Sequence, residues 1–421
     1  MNNIFVDAVD STISLIDDYF FMSDYRYNLV DFTRERKMTF KNLILYMLNN
    51  SKKTTQIEIQ NYFENFNELE EVMSKQAYSK ARLKIKYQVF AALNDNIMKT
   101  IYVNSEYEKF WTEYRISALD GTVLEIPNTE KTRVEFGFQK NKTKEVARAR
   151  ALCILDISNN IIISSTIEHY KTSERKMAMD LIRKLPVYPD IKELMLFDRG
   201  FPSAEMVAFL SESKKDYVMR VSKTFSNSII NATNEDQIIT MQYGSKSYPV
   251  RVIRLLLDSG ETEILITSLL HNNITISEFK ALYFMRWSIE VKYNSLKNRF
   301  EIDNFSGTSK ETIKQDFYAI IFLSNMYELA KIVSDESIKM DISTKNLKYD
   351  YKTNLNNLIG VLKDEFIFVL LEESKLKRRK LLNALFKHIT RSRIPIRKDR
   401  KSPRKVNKGV GKYPNNRKRS V

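Results

Sequence analysis

The sequence predicts an α/β protein of more than one domain, with a strand-rich middle between helical ends. Three observations predict it. The chain has 421 residues, more than one simple core serves, and 43% are apolar against 29% charged, the balance of a globular protein. From about residue 112 to residue 221, short β-branched runs and helix-like stretches follow one another in the order β-β-β-α-β-α-β. A second β-branched stretch, 222–270, comes before a long amphipathic segment and then more helix-like sequence.

Taken in order, residues 1–105 read as mostly helical, with Phe40 to Leu48 an apolar-rich helix that Thr39 caps. A basic amphipathic segment follows, Ser74 to Lys84, in which Lys75, Lys80, Arg82 and Lys84 alternate with small and apolar residues. Two readings of it are open: a DNA-contacting helix, or a solvated helix face. Arg115 to Leu119 reads as a strand ending at Asp120-Gly121-Thr122. Ala149–Ile157 and Ile161–Ile167 read as a hairpin across Ser158-Asn159-Asn160. Ser173 caps a helix to about Leu185, with Arg175, Lys176 and Arg183 exposed. Ile191 to Phe197 is a strand ending at Asp198-Arg199-Gly200, Pro202 and Ser203 open another helix, and Tyr217 to Val221 is a further strand. In residues 222–270, strands at Tyr248–Leu257 and Glu261–Leu269 flank a turn at Asp258-Ser259-Gly260. A long helix from about Ser277 to Phe300 comes next, and helices continue to about Thr390.

The net charge is +16, which suggests a polyanionic partner. Its distribution is uneven: Arg391 to Val421 holds 13 Lys/Arg and one acid, Asp399, so +12 of the +16 lies in the last 31 residues. That tail reads as extended, either a nonspecific phosphate binder or a solubilising segment. The body is only mildly basic, so a nucleic-acid groove on it must be local. One cysteine, Cys153, excludes an intrachain disulfide framework and a cysteine zinc site. The start shows no signal-peptide pattern and no apolar run long enough for a membrane span, so the expected compartment is the cytoplasm.

Two carboxylates, Asp120 and Asp198, stand at predicted strand ends, where sites of open α/β sheets gather. Downstream, Tyr283, Arg286, Glu290 and Lys297 fit the spacing Y-x2-R-x3-E-x6-K. At about 100° per residue all four fall within an arc of about 60° on one helix face. Alone, Arg286 and Glu290 would be an i,i+4 surface ion pair; downstream of two strand-end aspartates the pattern says more.

This combination resembles the DDE transposases of bacterial insertion sequences, in particular the insertion sequence four family with its YREK signature. The matching residues are Asp120-Gly121-Thr122, Asp198-Arg199-Gly200-Phe201, and Tyr283, Arg286, Glu290 and Lys297. The family often carries tyrosine where this chain has Phe201. Lys75 to Arg82 also resembles the family's N-terminal region, so the likeness runs over roughly residues 35–310. It implies a ribonuclease H-like catalytic core at 109–310 interrupted by a β-rich insertion at 222–270. It also implies a helical N-terminal DNA-binding domain at 1–108, a helical region at 311–390 and a basic tail at 391–421. The implied activity is metal-dependent cleavage at transposon ends and strand transfer into target DNA, cut-and-paste transposition. Asp120, Asp198 and Glu290 would be the catalytic carboxylates and the ligands of two Mg²⁺ ions, or Mn²⁺, with Asp120 bridging and the others holding one each. Tyr283, Arg286 and Lys297 would grip a phosphate. The partners implied are double-stranded DNA, at the terminal inverted repeats and the target, and a second copy of the chain in a paired-end homodimer on the nucleoid.

Weaker DNA-contact candidates are Arg199, Arg220, Lys75, Lys80 and Arg82; for Arg199 and Arg220 a structural ion pair is an equal reading. Trp287 reads as a stacking surface or, the favoured option, as core; Cys153 is expected in the core; Asp156 is a rival acid whose setting reads as a surface loop; and the three histidines show no metal spacing. Two alternatives accompany the leading function: a nuclease on the same core without strand transfer, and a non-catalytic DNA-binding protein derived from a transposase.

Overall fold

The computed structural model describes residues 3–34, 36–49, 54–64, 72–103, 111, 113–140, 144–257, 260–271, 273–343, 345 and 347–397. Asp258, Ser259 and the tail beyond Arg397 lie outside these, so the predicted Asp258-Ser259-Gly260 turn and most of the basic tail are not described.

Among the described residues the chain opens with the helices α1 (Ile4–Ile16), α2 (Tyr19–Tyr25), α3 (Phe40–Leu48), α4 (Thr55–Glu64), α5 (Lys75–Arg82) and α6 (Gln88–Tyr102). Their starts follow the capping rule: Asn3, Asp18, Thr39 and Ser74 each accept a main-chain N–H of the first turn with their side chains. Strands and helices then alternate: β1 (Tyr114–Glu125), α7 (Glu130–Phe136), β2 (Phe138–Lys140), β3 (Glu145–Asp156), β4 (Ile161–His169), α8 (Glu174–Lys184), β5 (Lys192–Phe197), α9 (Ala204–Glu212), β6 (Asp216–Val221), α10 (Asn227–Asn231), β7 (Asp236–Tyr243), β8 (Lys246–Leu256) and β9 (Thr262–Thr267). Beyond β9 the described residues are mainly helical, α11 (Ile276–Phe284), α12 (Ser288–Asn298), α13 (Lys310–Ser343), α14 (Leu355–Leu371) and α15 (Lys375–Arg391), with a small antiparallel pair of β10 (Tyr351–Thr353) and β11 (Arg393–Pro395).

Two compact units share this chain. One is drawn from Met1–Asn104, Glu125–Arg148 and Leu296–Val421, the other from Ser105–Leu124 and Ala149–Ser295. In the first, α13 is the axis: α1, α3, α6, α7, α14 and α15 pack around it. Its buried residues run almost all round the helix, from Ile313 and Phe317 to Leu329 and Ile338, as a central helix requires.

The second unit carries the mixed sheet, ordered β3-β1-β5-β6-β9-β8-β7, with β4 paired to β3. β1, β5 and β6 run parallel; β3–β4, β6–β9, β9–β8 and β8–β7 are antiparallel. β5 reads Lys-Glu-Leu-Met-Leu-Phe and buries all but its first residue, the continuous apolar run of a strand covered on both faces. The 222–270 stretch is not set apart from this sheet: β9 pairs with β6, so β7–β9 extend it. The β3–β4 turn is closed by Asp156, whose carboxylate accepts Asn159 N and Nδ2 at 3.2 and 2.7 Å. Asp156 is 0% exposed, which corrects its expected place in a surface loop; the turn folds its acid inward to satisfy the Asn159 donors.

The single helix expected over Ser277–Phe300 is broken. α11 starts with a capping box between Thr275 and Glu278, gives way to a 3₁₀ turn at Met285–Trp287, and resumes as α12. Three residues turning about 120° each instead of about 100° rotate Tyr283 by about 60° relative to Glu290.

Candidate active site

The parallel register of β1 and β5 sets the site. Paired positions run from Tyr114↔Lys192 to Leu119↔Phe197, so the next residue on each strand is an aspartate, Asp120 and Asp198. β1 continues to Glu125, so Asp120 lies within its strand rather than at its end, just past the last residue paired with β5. Buried Ile116, Leu194 and Leu196 hold the two strands in the apolar core.

Asp120 accepts the N–H of Gly121 at 2.9 Å, and its own carbonyl accepts the Tyr293 hydroxyl of α12 at 2.7 Å. Burial pushes its carboxyl up to about 6; Glu174 and Glu290 add to that, while the Gly121 N–H and Arg286 act against it. Asp198 faces the Tyr283 hydroxyl at 3.4 Å, a weak contact. The turn after it is tied by Phe201 N to the Asp198 carbonyl at 3.1 Å, and Ser203 caps α9.

Arg286 is the centre of charge. It is 3% exposed, donates to Glu290 at 3.1 Å, and its guanidinium lies 5.8 Å from the Tyr283 ring. Burial works against its charge, but Tyr283, Asp198 and Glu290 outweigh it, and its pKa is raised. Its Nε is buried with no hydrogen-bond partner among the described residues. Arg286 thus pairs with Glu290 and feels Asp120 and Asp198, and the three carboxylates share one electrostatic neighbourhood.

Sequence reasoning missed a fourth carboxylate. Glu174, the first residue of α8, pairs with Arg150 at 3.1 Å. A Cβ at Gly121 would sit 2.6 Å from its Oε1, and one at Gly200 would lie 3.8 Å from its Oε2. Glu174 therefore lies between the two glycines of the Asp-Gly and Asp-Arg-Gly turns, and Arg175 beside it donates to the Gly200 carbonyl at 3.0 Å. The available signal was the pair of glycines just after the acids, which marks a close approach by something else. Ser173 holds the α8 cap position but makes no side-chain cap bond.

Other expected residues fall in different places. Lys297 lies on α12 seven residues beyond Glu290, on the same helix face to within about 20°. Arg199 is exposed on the turn after Asp198. Arg220 pairs with Glu263 at 2.5 Å across β6 and β9, the structural option of its two readings. Trp287, expected in the core, is 44% exposed, because the 3₁₀ turn swings it outward beside a cavity of about 530 Å³ lined with Arg220, Lys280, Tyr283, Phe284 and Arg286. In the other unit, Lys75 and Lys80 are exposed on α5, but Arg82 is 2% exposed and engaged with Gln315, Ser306, Thr312 and Asp316. That corrects its reading as a DNA contact: the guanidinium is consumed by internal partners. Cys153 is buried, and burial pushes its thiol up to about 12.

Among the described residues no three His, Cys, Asp or Glu close on one point that would hold a metal ion. In donor chemistry the set does fit a hard divalent cation, since its groups are carboxylates and Asp120 is held in surroundings that a cation would relieve.

The family model described as "Transposase DDE domain" matches residues 111–326, just over half of the chain. Comparison with curated proteins gives no match. Among solved structures, the chain is similar to piggyBac transposase in a synaptic complex with hairpin DNA, at 11% identity and a TM-score of 0.46, over 90% of this chain and 85% of that one.

Proposed function

The chain belongs to the DDE transposase family, and on that premise we propose that Asp120, Asp198 and Glu290 are its catalytic carboxylates in cut-and-paste transposition. The observation that carries the reading is the β1–β5 register, which brings Asp120 and Asp198 to adjacent strands one residue beyond the last paired position. Arg286 supports it by placing Glu290 in the same field.

The sheet order β4-β3-β1-β5-β6, with β4 antiparallel to β3 and β1, β5 and β6 parallel, is in keeping with a ribonuclease H-like core and supports that finer reading. The YREK signature of the insertion sequence four family rests on Tyr283, Arg286, Glu290 and Lys297.

In this reading Asp120, Asp198 and Glu290 would hold divalent ions, two Mg²⁺ or Mn²⁺ per site, whose chemistry would be to activate water and stabilise the leaving oxygen. Asp120 is held by its main chain: the Tyr293 bond to its carbonyl fixes the strand under α12. Arg286 presents a buried Nε with no partner among the described residues, a donor suited to a phosphate oxygen in a low-dielectric setting. Tyr283 keeps its hydroxyl proton because burial raises its pKa, so it acts as a donor there. Lys297, on the Glu290 face of α12, adds a point charge. The freed 3′-hydroxyl would then attack a target phosphodiester at the same site, forming a new P–O bond while the target strand's own 3′-oxygen leaves, and pairing of two ends would make the working form a homodimer on double-stranded DNA.

The test is a cleavage and strand-transfer assay on a labelled duplex carrying the element's own terminal repeat, with Mg²⁺ or Mn²⁺, beside Glu290→Gln. Cut and joined products that vanish in the variant, with end binding retained, are expected. Cut ends without joining would move the reading to a nuclease. Binding without cleavage by the wild type would move it to a non-catalytic DNA-binding protein.

A further inference from the structure

The first unit contains a polar groove that the reaction above does not use. It has a volume of about 500 Å³ and lies between α4, α5, the start of α7 and the loop before α13. Among the described residues its lining contains three cations, Lys75, Arg82 and Lys131, and no carboxylate; most of the rest bear hydroxyls, among them Ser79, Thr308 and Ser309. Nearby acids are already engaged: Asp316 pairs with Arg82, Glu311 accepts the N–H of Tyr87, and Glu135 accepts that of Lys310.

The groove is built, not incidental. Arg82 ties α5 to the Ser306 hydroxyl, the Thr312 carbonyl, and the side chains of Gln315 and Asp316. Gln315 returns two bonds, to the carbonyls of Arg82 and Ile85, at 3.1 and 2.9 Å. Gly307 lets the loop lie against Thr312, where a Cβ would collide with that side chain. These contacts use up the Arg82 charge and leave Lys75 and Lys131, both exposed, as the groove's open cations. Among the described residues no ion pair engages either.

We propose that this groove binds the sugar-phosphate backbone of duplex DNA, with Lys75 and Lys131 each on a phosphate and the hydroxyls of Ser79 and Thr308 donating to phosphate oxygens. Lysines and hydroxyls without base-reading Arg, Asn or Gln forks facing outward fit positioning contacts rather than sequence readout. The proposal rests on the transposase reading, deepening it by assigning a DNA-holding surface away from the carboxylates. It also gives the α5 segment its role through Lys75, with Arg82 as the builder of the groove wall.

The experiment measures binding of full-length protein to a duplex bearing the terminal repeat, and to one of unrelated sequence, from 0.05 to 0.3 M salt. The variants are Lys75→Ala/Lys131→Ala, Ser79→Ala/Thr308→Ala, and the control Lys339→Ala/Lys345→Ala at and just past the far end of α13. Each lost phosphate contact flattens the log–log salt slope by about 0.9 and costs about fivefold at 0.15 M, so the double lysine variant should lose about 30-fold with a slope flatter by about 2. The loss should be equal on both duplexes. The hydroxyl variant should lose affinity with an unchanged slope, and the control should change neither. Wild-type affinity and slope in Lys75→Ala/Lys131→Ala would overturn the groove, and so would a loss confined to the terminal-repeat duplex. If that happens while the wild type still cuts and joins DNA, the groove falls and the transposase reading stands. If the wild type neither cuts nor joins while the lysine variant flattens the slope, the transposase reading falls and the groove stands.

Discussion

Arg82→Met tests whether this arginine is a structural anchor or a DNA contact. The guanidinium is 2% exposed and donates to Gln315 at 2.7 Å and to Ser306, Thr312 and Asp316 at 2.6 Å each. Methionine keeps much of the packing volume but leaves the Asp316 carboxylate, 15% exposed, and the Gln315 amide oxygen without their donor. Removing one partner of a buried ion pair costs about 3–5 kcal/mol, most of it the penalty of the stranded charge. Asp316→Asn in the same background neutralises that charge, so the double variant should be less destabilised than the sum of the singles, with a coupling of about 0.5–3 kcal/mol. Urea unfolding followed by tryptophan fluorescence and circular dichroism measures both, and the DNA affinity of whatever protein remains folded is measured beside it. A variant with wild-type stability and a collapsed DNA affinity would refute the anchor and return Arg82 to the role its place in a basic helix suggests.

Two further outcomes follow from the second unit. Gly121→Ala places a methyl 2.6 Å from Glu174 Oε1, so the end of that flexible side chain must shift from its place beside Arg150. The single variant should lose strand cleavage by at least tenfold at a stability cost of no more than about 1 kcal/mol. Gly121→Ala/Glu174→Ala should recover most of that stability; no recovery would mean that Glu174 is not what fills the space beside Gly121. Asp120 supplies a pH dependence in metal-free protein. Its folded-state pKa, about 6, stands above the ordinary 3.8, so the fold binds its proton more tightly than the unfolded chain does. Its contribution to stability is therefore complete below about pH 4 and is lost as pH rises through 6, a change of about 3 kcal/mol for about two pH units. Asp120→Asn should match the wild type near pH 4 and exceed it near pH 7.5 in chelator-treated protein; parallel stability curves would show that Asp120 is not held protonated.

The alternation of β-branched runs with turn residues made β1, β3, β4, β5 and β6 legible, because each strand buries a continuous apolar run between polar breaks. Thr39 before Phe40 and Ser203 before Ala204 marked helix starts by local chemistry alone. The helix around Glu290 was legible, but its break at Met285–Trp287 was not, because no glycine or proline marks it. Trp287 was misplaced for the same reason: its exposure depends on a twist that only the packed chain imposes.

What the sequence by itself determined is the set of groups available for chemistry: two aspartates just past apolar strand runs, the Y-x2-R-x3-E-x6-K spacing, and a charge balance suited to DNA. Those are properties of neighbours along the chain, and they follow from local periodicity. The tertiary structure decided which of them meet. The β1–β5 register brings Asp120 beside Asp198 from 78 positions away. The close approach of α8 puts Glu174 against Gly121, and the pull of Asp316 and Gln315, more than 230 residues distant, takes Arg82 out of solvent. Burial is the reason in each case: a buried charge or strand edge must find a partner, and that partner is chosen by packing in three dimensions rather than by spacing along the chain.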